Sequence, residues 1–186
     1  GLQPLARHVI DRGMEFGLWV EPEMISPDSE LFRANPGWAL QLEGRPLLTM
    51  RHQLLLDLAR TEVSDYLFDR LDSILRTVPV SYLKWDMNRD LTTAGDGDGR
   101  AAYRSFVHAF YALLERLRKA HPAVEIETCA SGGGRIDFGV LAHTHRVWLS
   151  DCNDALSRVA IQRGALQFIP PEIIGAHIGP APAHTT

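Results

Sequence analysis

Cysteine is nearly missing from this chain. Cys129 and Cys152 are the only two in 186 residues. Two thiols build no disulfide framework, and without a C-x-x-C spacing they build no thiol zinc site. Read as two unpaired small residues, they favour a reducing compartment, and a cytoplasmic location is the expectation. Basic excess is missing too: the formal net charge is −4, so no footprint for nucleic acid is present. No apolar run approaches the roughly 18 residues that a membrane span needs. There is no G-x-G-x-x-G and no P-loop, which removes the usual support for a nucleotide fold. The eight histidines are scattered, and no pair has metal-ligand spacing. No metal and no cofactor are expected. A signal peptide is not visible, and the first residue is Gly1 rather than Met, so further segments upstream are an expectation.

What is there is a rhythm. With 45% hydrophobic residues the chain can fill one core of ordinary size. Residues 3–12 read as the tail of a helix. The run 16–24, "FGLWVEPEM", is β-rich and ends at Pro22. Ser26-Pro27-Asp28 opens a short helix over 26–33. "QLLLDLA" (53–59) is a second apolar run. Val63, Leu67, Leu71, Ile74 and Leu75 give a helical period over 61–77. "VSYLKWDM" (80–87) is the next strand, and the Gly/Asp loop 92–100 follows. An amphipathic helix over 101–120 carries Phe106, Phe110, Leu113, Leu114 and Leu117 on one side. Residues 123–130 and 146–152 are further strands, 155–167 a further helix and 172–179 a last strand.

Strands alternating with helices predict parallel β/α units, at least four of them. A doubly wound sheet and a (β/α)8 barrel both fit that count. The polar residues favour the barrel. They stand at the C-terminal ends of several strands: Trp19 and Glu21, Lys84 and Asp86, Glu127 and Cys129, Asp151. Barrel enzymes gather their sites at that rim, whereas an open sheet uses one switch point. A full barrel needs about 250 residues, so the fold class is α/β, a partial (β/α)8 TIM barrel, with residues 1–186 as part of one catalytic domain.

Side chains alternate along a strand. Tyr82, Lys84, Asp86 and Asn88 share one face, and Leu83, Trp85 and Met87 share the other. If the apolar set packs on helices, Lys84 and Asp86 point into the barrel. Taken alone they read as a structural salt bridge as readily as a site. Asp151 falls where the strand 146–152 ends, and Asp154 reads as the N-cap of the following helix. Two carboxylates on one rim can perform glycoside chemistry. With Glu21 and Glu127 they could also supply hard oxygen ligands to a divalent metal. The glycines of "SGGGR" (131–135) allow close backbone approach, either to a ligand or in a plain turn. Trp19 is a platform for a sugar face or a half-buried core residue. Arg51 is a bidentate donor or a surface charge. His177 reads as a satisfied core histidine.

Several pieces together resemble glycoside hydrolase family 36, the bacterial and plant α-galactosidases. They are "FGLWVEPEMISPDSELFRANPGWAL", "RHQLLLDL", "YLKWDMNR", "IETCASGGGRIDFGVL", "WLSDCNDA", "QRGALQFIPPEIIGAHIGP" and the closing "HTT". They stand in the family's order and cover most of the chain. The resemblance implies a retaining α-galactosidase with Asp86 as nucleophile and Asp151 as acid/base. It implies galactose contacts at Trp19, Arg51 and Lys84, with Cys129 and Gly132 near the sugar's 2-hydroxyl, and Asn88, on the same strand face as Lys84 and Asp86, is a further candidate for substrate binding. The family usually places Asn or Gln after the arginine, where this chain has His52. α-Galactoside oligosaccharides of the melibiose and raffinose type are the implied partners, and a homo-oligomeric parent stays open. By the family's layout the chain covers about the third to seventh barrel strands, with flanking β domains absent. Three alternatives stand beside this reading: a galactosyltransferase of the same family, a metal-dependent barrel enzyme, and an inactive fragment with exposed strand edges. Two ionisation expectations follow. Lys84 keeps Asp86 charged, and apolar Trp148 and Leu149 help Asp151 keep its proton.

Overall fold

The computed structural model describes residues 1–92, 95 and 101–177. Most of the 92–100 loop, the end of the 172–179 strand and the closing His184-Thr185-Thr186 lie outside the described residues. Helix α1 (Leu2–Ile10) leads into β1 (Gly17–Val20). The β-rich run then breaks. Pro22 has no N–H for a ladder, and β2 (Met24–Ile25) turns away to pair antiparallel with β3 (Leu54–Leu55). The 53–59 run therefore joins a small side hairpin, not the main sheet. Between them lies α2 (Glu30–Ala34), capped by Ser29, whose hydroxyl accepts the Phe32 N–H at 3.1 Å. The cap falls three residues after the predicted start, because Ser26 accepts the Ser29 N–H in a preceding turn.

Helix α3 (Thr61–Thr77) spans the predicted residues and feeds β4 (Tyr82–Trp85). Then come α4 (Tyr103–Ala120), β5 (Glu125–Thr128), α5 (Phe138–His143), β6 (Arg146–Val147) and α6 (Ala155–Ala165). The sheet order is β1-β4-β5-β6, and every neighbouring pair is parallel. This is the α/β architecture expected of part of a (β/α)8 barrel. Helix α5 was not foreseen. Six residues show too little periodicity, although Asp137 marks its start by accepting the Val140 N–H at 2.8 Å. Among the described residues the last predicted strand makes one parallel bridge, Val147 to Ile174, after a 3-10 turn at Pro171–Ile173. Pro170 and Pro171 offer no N–H there, so a ladder cannot start earlier.

The core lies between the sheet and α3 and α4. Leu83, Trp85 and Ile126 point outward from β4 and β5 and meet Leu67, Leu71, Phe106, Phe110, Leu113 and Leu117. Each such side chain contributes about 1.5–3 kcal/mol when fully buried. Because that face is committed to the helices, the alternate residues must face the barrel interior. The register sets Trp19, Lys84 and Glu127 side by side. The ladder continues one step further through Asp86 N–H to Val20 O, Cys129 N–H to Trp85 O, and Trp148 N–H to Thr128 O. Two inward layers result. Trp19, Lys84 and Glu127 form the lower one. Glu21, Asp86, Cys129 and Trp148 form the upper one, at the C-terminal rim.

Candidate active site

Asp86 is 6% exposed, and it is surrounded by donors. Its Oδ2 accepts the Trp19 indole N–H at 3.1 Å and an Asn88 amide N–H at 2.8 Å. Its Oδ1 accepts the Met87 backbone N–H at 2.9 Å, and the Cys129 thiol also donates to it. Burial is the largest single influence and pushes the carboxyl up. The donors from Asn88, Cys129, Trp19 and Met87 together outweigh it and hold Asp86 below its ordinary 3.8. Asp86 is thus kept ionised by hydrogen bonds. The expectation that Lys84 does this is corrected. Lys84 Nζ sits 3.2 Å from Glu127 Oε1, its cross-strand neighbour.

Asn88 is held in one orientation. Glu21 Oε1 accepts both its backbone N–H at 3.0 Å and its side-chain N–H at 2.5 Å. Asn88 Oδ1 accepts the Ser131 hydroxyl at 3.0 Å. Glu21 and Ser131 belong to this network. Ser131 was not singled out from the sequence, and the signal that marks it is its backbone: φ is +50°, a left-handed conformation uncommon outside glycine. Cys129 is buried, and its thiol is pushed up to about 12, first by burial and then by the Asp86 hydrogen bond. It is a protonated donor here, not a nucleophile.

Glu127 is fully buried. It takes Lys84, the Tyr82 hydroxyl at 2.7 Å and His177 Nε2 at 3.0 Å. A Cβ on Gly175 would overlap Glu127 Oε2, so a side chain there would displace this carboxylate from its partners. His177 is not a core residue: its side chain is 34% exposed, bonded to Glu127 and stacked on Trp148 with 3.7 Å between ring centroids. Each of the three loop glycines packs against backbone that leaves no room for a side chain. A Cβ on Gly132, at φ +82°, would meet Ser150 Cα at 2.9 Å. One on Gly133 would meet Leu149 O at 2.8 Å, and one on Gly134 would meet Ala130 O at 2.6 Å.

Asp151 lies beyond β6 at the same end of the parallel sheet as Asp86, and it is exposed. Its Oδ1 accepts the Trp148 indole N–H at 2.8 Å. The expected apolar neighbourhood is therefore corrected: Trp148 presents its polar edge to this carboxyl. Asp154 caps α6 as expected, accepting the Ser157 N–H at 2.8 Å. Trp19 is 52% exposed with its N–H tied to Asp86, so its ring stands as a platform beside that carboxylate. Arg51 is not brought into the Asp86 network. It occupies the tip of a two-residue hairpin between Met50 and Gln53, with φ +53° at Arg51 and +62° at His52. Arg89 anchors that hairpin through Gln53 O at 2.6 Å and Leu48 O at 3.3 Å. A cavity of about 610 Å³ lies between the hairpin and the site, lined by Met50, Asn88, Arg89, Ala130 and Ser131 among others. The four acids named as possible metal ligands do not gather. Glu127 faces its own cations and Glu21 faces Asn88, and among the described residues no three His, Cys, Asp or Glu side chains converge.

Known proteins resemble this chain along its whole length. The family model described as Melibiase matches residues 1–186. The chain belongs to the Melibiase family. An Escherichia coli protein named alpha-galactosidase is 54% identical over 186 residues, which is 100% of this chain and 26% of that one. The crystal structure of the GH36 alpha-galactosidase AgaA from Geobacillus stearothermophilus superposes with a TM-score of 0.92 at 39% identity, over 99% of this chain and 26% of AgaA. A variant of AgaA in complex with stachyose superposes at 0.93 with 38% identity, over the same shares. The resemblance to glycoside hydrolase family 36 is borne out. This family member spans about a quarter of the length of these relatives.

Proposed function

We propose that these residues form the catalytic centre of a retaining α-galactosidase that removes terminal α-galactosyl groups from melibiose- and raffinose-type oligosaccharides. The observation that carries the reading is Asp86, buried yet held ionised by Trp19, Asn88, Met87 and Cys129. A buried carboxylate kept charged without a paired cation is a nucleophile waiting for a developing positive centre. Kinship to proteins named alpha-galactosidase and to a structure holding stachyose supports the substrate class.

Asp86 attacks the anomeric carbon as the C1–O bond breaks. The bonding pair goes to the leaving oxygen, which takes the proton of Asp151. A galactosyl-Asp86 ester results. Asp151, now a carboxylate, removes a proton from water, which attacks C1 from the other face and frees Asp86. Retention requires carboxyl groups about 5–5.5 Å apart, against about 6.5–9.5 Å for inversion. Strands β4 and β6 are separated by β5 alone, so their backbones lie about 9–10 Å apart, and inward side chains narrow that gap. Lys84 and the Trp19 ring face the same interior and would take the sugar's hydroxyls and its C–H face.

Following hydrolysis of an aryl α-galactoside by proton NMR tests this directly. α-Galactose is the first anomer expected, and β-galactose appearing first would sink the retaining mechanism. A galactosyltransferase of the same family would instead give mainly transfer product in excess acceptor sugar.

The pH profile gives a second test. Asp86 is depressed in the folded chain, so its ionised form contributes stability above the ordinary value of 3.8 and loses it as pH falls through the lower folded value. The acid limb of kcat/KM is therefore expected below the usual carboxylate range. Asn88→Ala removes one donor and moves that limb upward. A profile of kcat/KM against pH that does not move would show that Asn88 does not hold the charge.

A further inference from the structure

We propose that Trp148 is the positioning residue of Asp151, fixing which carboxyl oxygen carries the catalytic proton. This rests on the reading of Asp151 as the acid/base. The Trp148 side chain is 1% exposed, and its indole N–H points at Asp151 Oδ1 from 2.8 Å. Asp151 itself is exposed and stands in the segment between β6 and α6, which has no regular structure. Its backbone alone would let the carboxyl swing.

The indole is held on every side that matters. Its own backbone N–H is in the ladder with Thr128 O at 2.9 Å. His177 stacks on it at an interplanar angle of 13°. Lys84 Nζ lies 4.4 Å from its ring centre and the Arg158 guanidinium 4.6 Å. Cations at such distances are attracted to the indole face. Buried Glu127 grips both Lys84 and His177. Thus Glu127 holds the clamps, the clamps hold the ring, and the ring aims one N–H.

That N–H has a chemical consequence. In a protonated carboxyl the carbonyl oxygen is the better acceptor, so the indole N–H selects Oδ1 as the carbonyl oxygen and favours the acid proton on Oδ2. As the proton departs, the bond to Oδ1 becomes charge-assisted and shortens. The interaction is stronger in the transition state than before it, which is the condition for acceleration.

The test compares two substrates in the full chain. Melibiose needs its leaving oxygen protonated, whereas a dinitrophenyl α-galactoside does not. Trp148→Phe is expected to lower kcat/KM on melibiose about 10- to 100-fold, within the range of general acid catalysis, and on the dinitrophenyl substrate less than about threefold. Equal losses on both would mean a merely structural tryptophan, and no loss on either would mean an idle hydrogen bond; each overturns the proposal. Should phenylalanine unfold the chain, 3-benzothienylalanine at position 148 keeps the bicycle and replaces the N–H by sulfur, and the same split is expected. Asp151→Ala in parallel separates the two levels. If it lowers both substrates equally, the acid/base reading itself fails. If it shows the split and the Trp148 variants do not, only the positioning fails.

Discussion

Asp86→Gly is expected to lower hydrolysis of an aryl α-galactoside by at least about 10⁴-fold, the scale on which removal of a nucleophile acts. Azide is then expected to restore turnover and to leave as β-galactosyl azide. The geometry explains both halves. Glycine removes the attacking oxygen but leaves its cradle: the indole N–H of Trp19, the amide of Asn88, the Met87 N–H and the Cys129 thiol. Those donors stabilise an anion, and azide is a small one that fits the space the carboxylate vacates. It approaches C1 from the face Asp86 used, so the product has inverted configuration relative to the substrate. Product analysis by mass spectrometry and NMR reads the result. Activity of Asp86→Gly close to that of the unaltered chain would end the assignment, and so would an α-configured azide.

Glu23→Ala is expected to cost about 3–5 kcal/mol, the penalty for removing one partner of a buried ion pair. Glu23 is fully buried. It accepts the Trp85 indole N–H at 2.7 Å and the Arg135 guanidinium at 2.8 and 3.0 Å. Arg135 in turn lies over the Phe110 ring at 3.9 Å. Alanine leaves a guanidinium in the core without its counter-charge. Glu23→Gln keeps an acceptor for Trp85 and is expected to cost less. The midpoint of urea unfolding in the full chain distinguishes them, and an unchanged midpoint for Glu23→Ala would show that Arg135 finds another partner. The effect reaches the site as well. Arg135 closes the loop that begins with Ser131, and Ser131 holds Asn88.

The face of the catalytic strand could be read directly. Alternation put Lys84, Asp86 and Asn88 on one side, and the burial of Leu83, Trp85 and Met87 on the other forces that arrangement. Helix α3 was equally plain, because its apolar residues recur at one period along its whole length. What could not be read was who meets whom across strands. Alternation gives a side chain its face but not its register. Lys84 therefore looked like a partner for Asp86, two residues away, when its neighbour in space is Glu127 on the next strand. The glycine run carries the same limit: Gly132 and Gly133 lie against the backbone at Leu149 and Ser150, which local sequence does not place beside them. Trp148 was visible only as an apolar residue, since its N–H matters only once Asp151 is seen in front of it.

Gly175 and Glu127 constrain each other in a way that shapes which sequences can be reached from this one. An Oε2 atom already stands where a methyl group at 175 would go. Any single replacement of that glycine must displace a carboxylate that restrains a lysine, a tyrosine and a histidine together. A side chain at 175 therefore has to move that carboxylate, and a shorter residue at 127 leaves three polar side chains without it. A change at either position is felt at the other, so this corner of the barrel varies most readily as a pair.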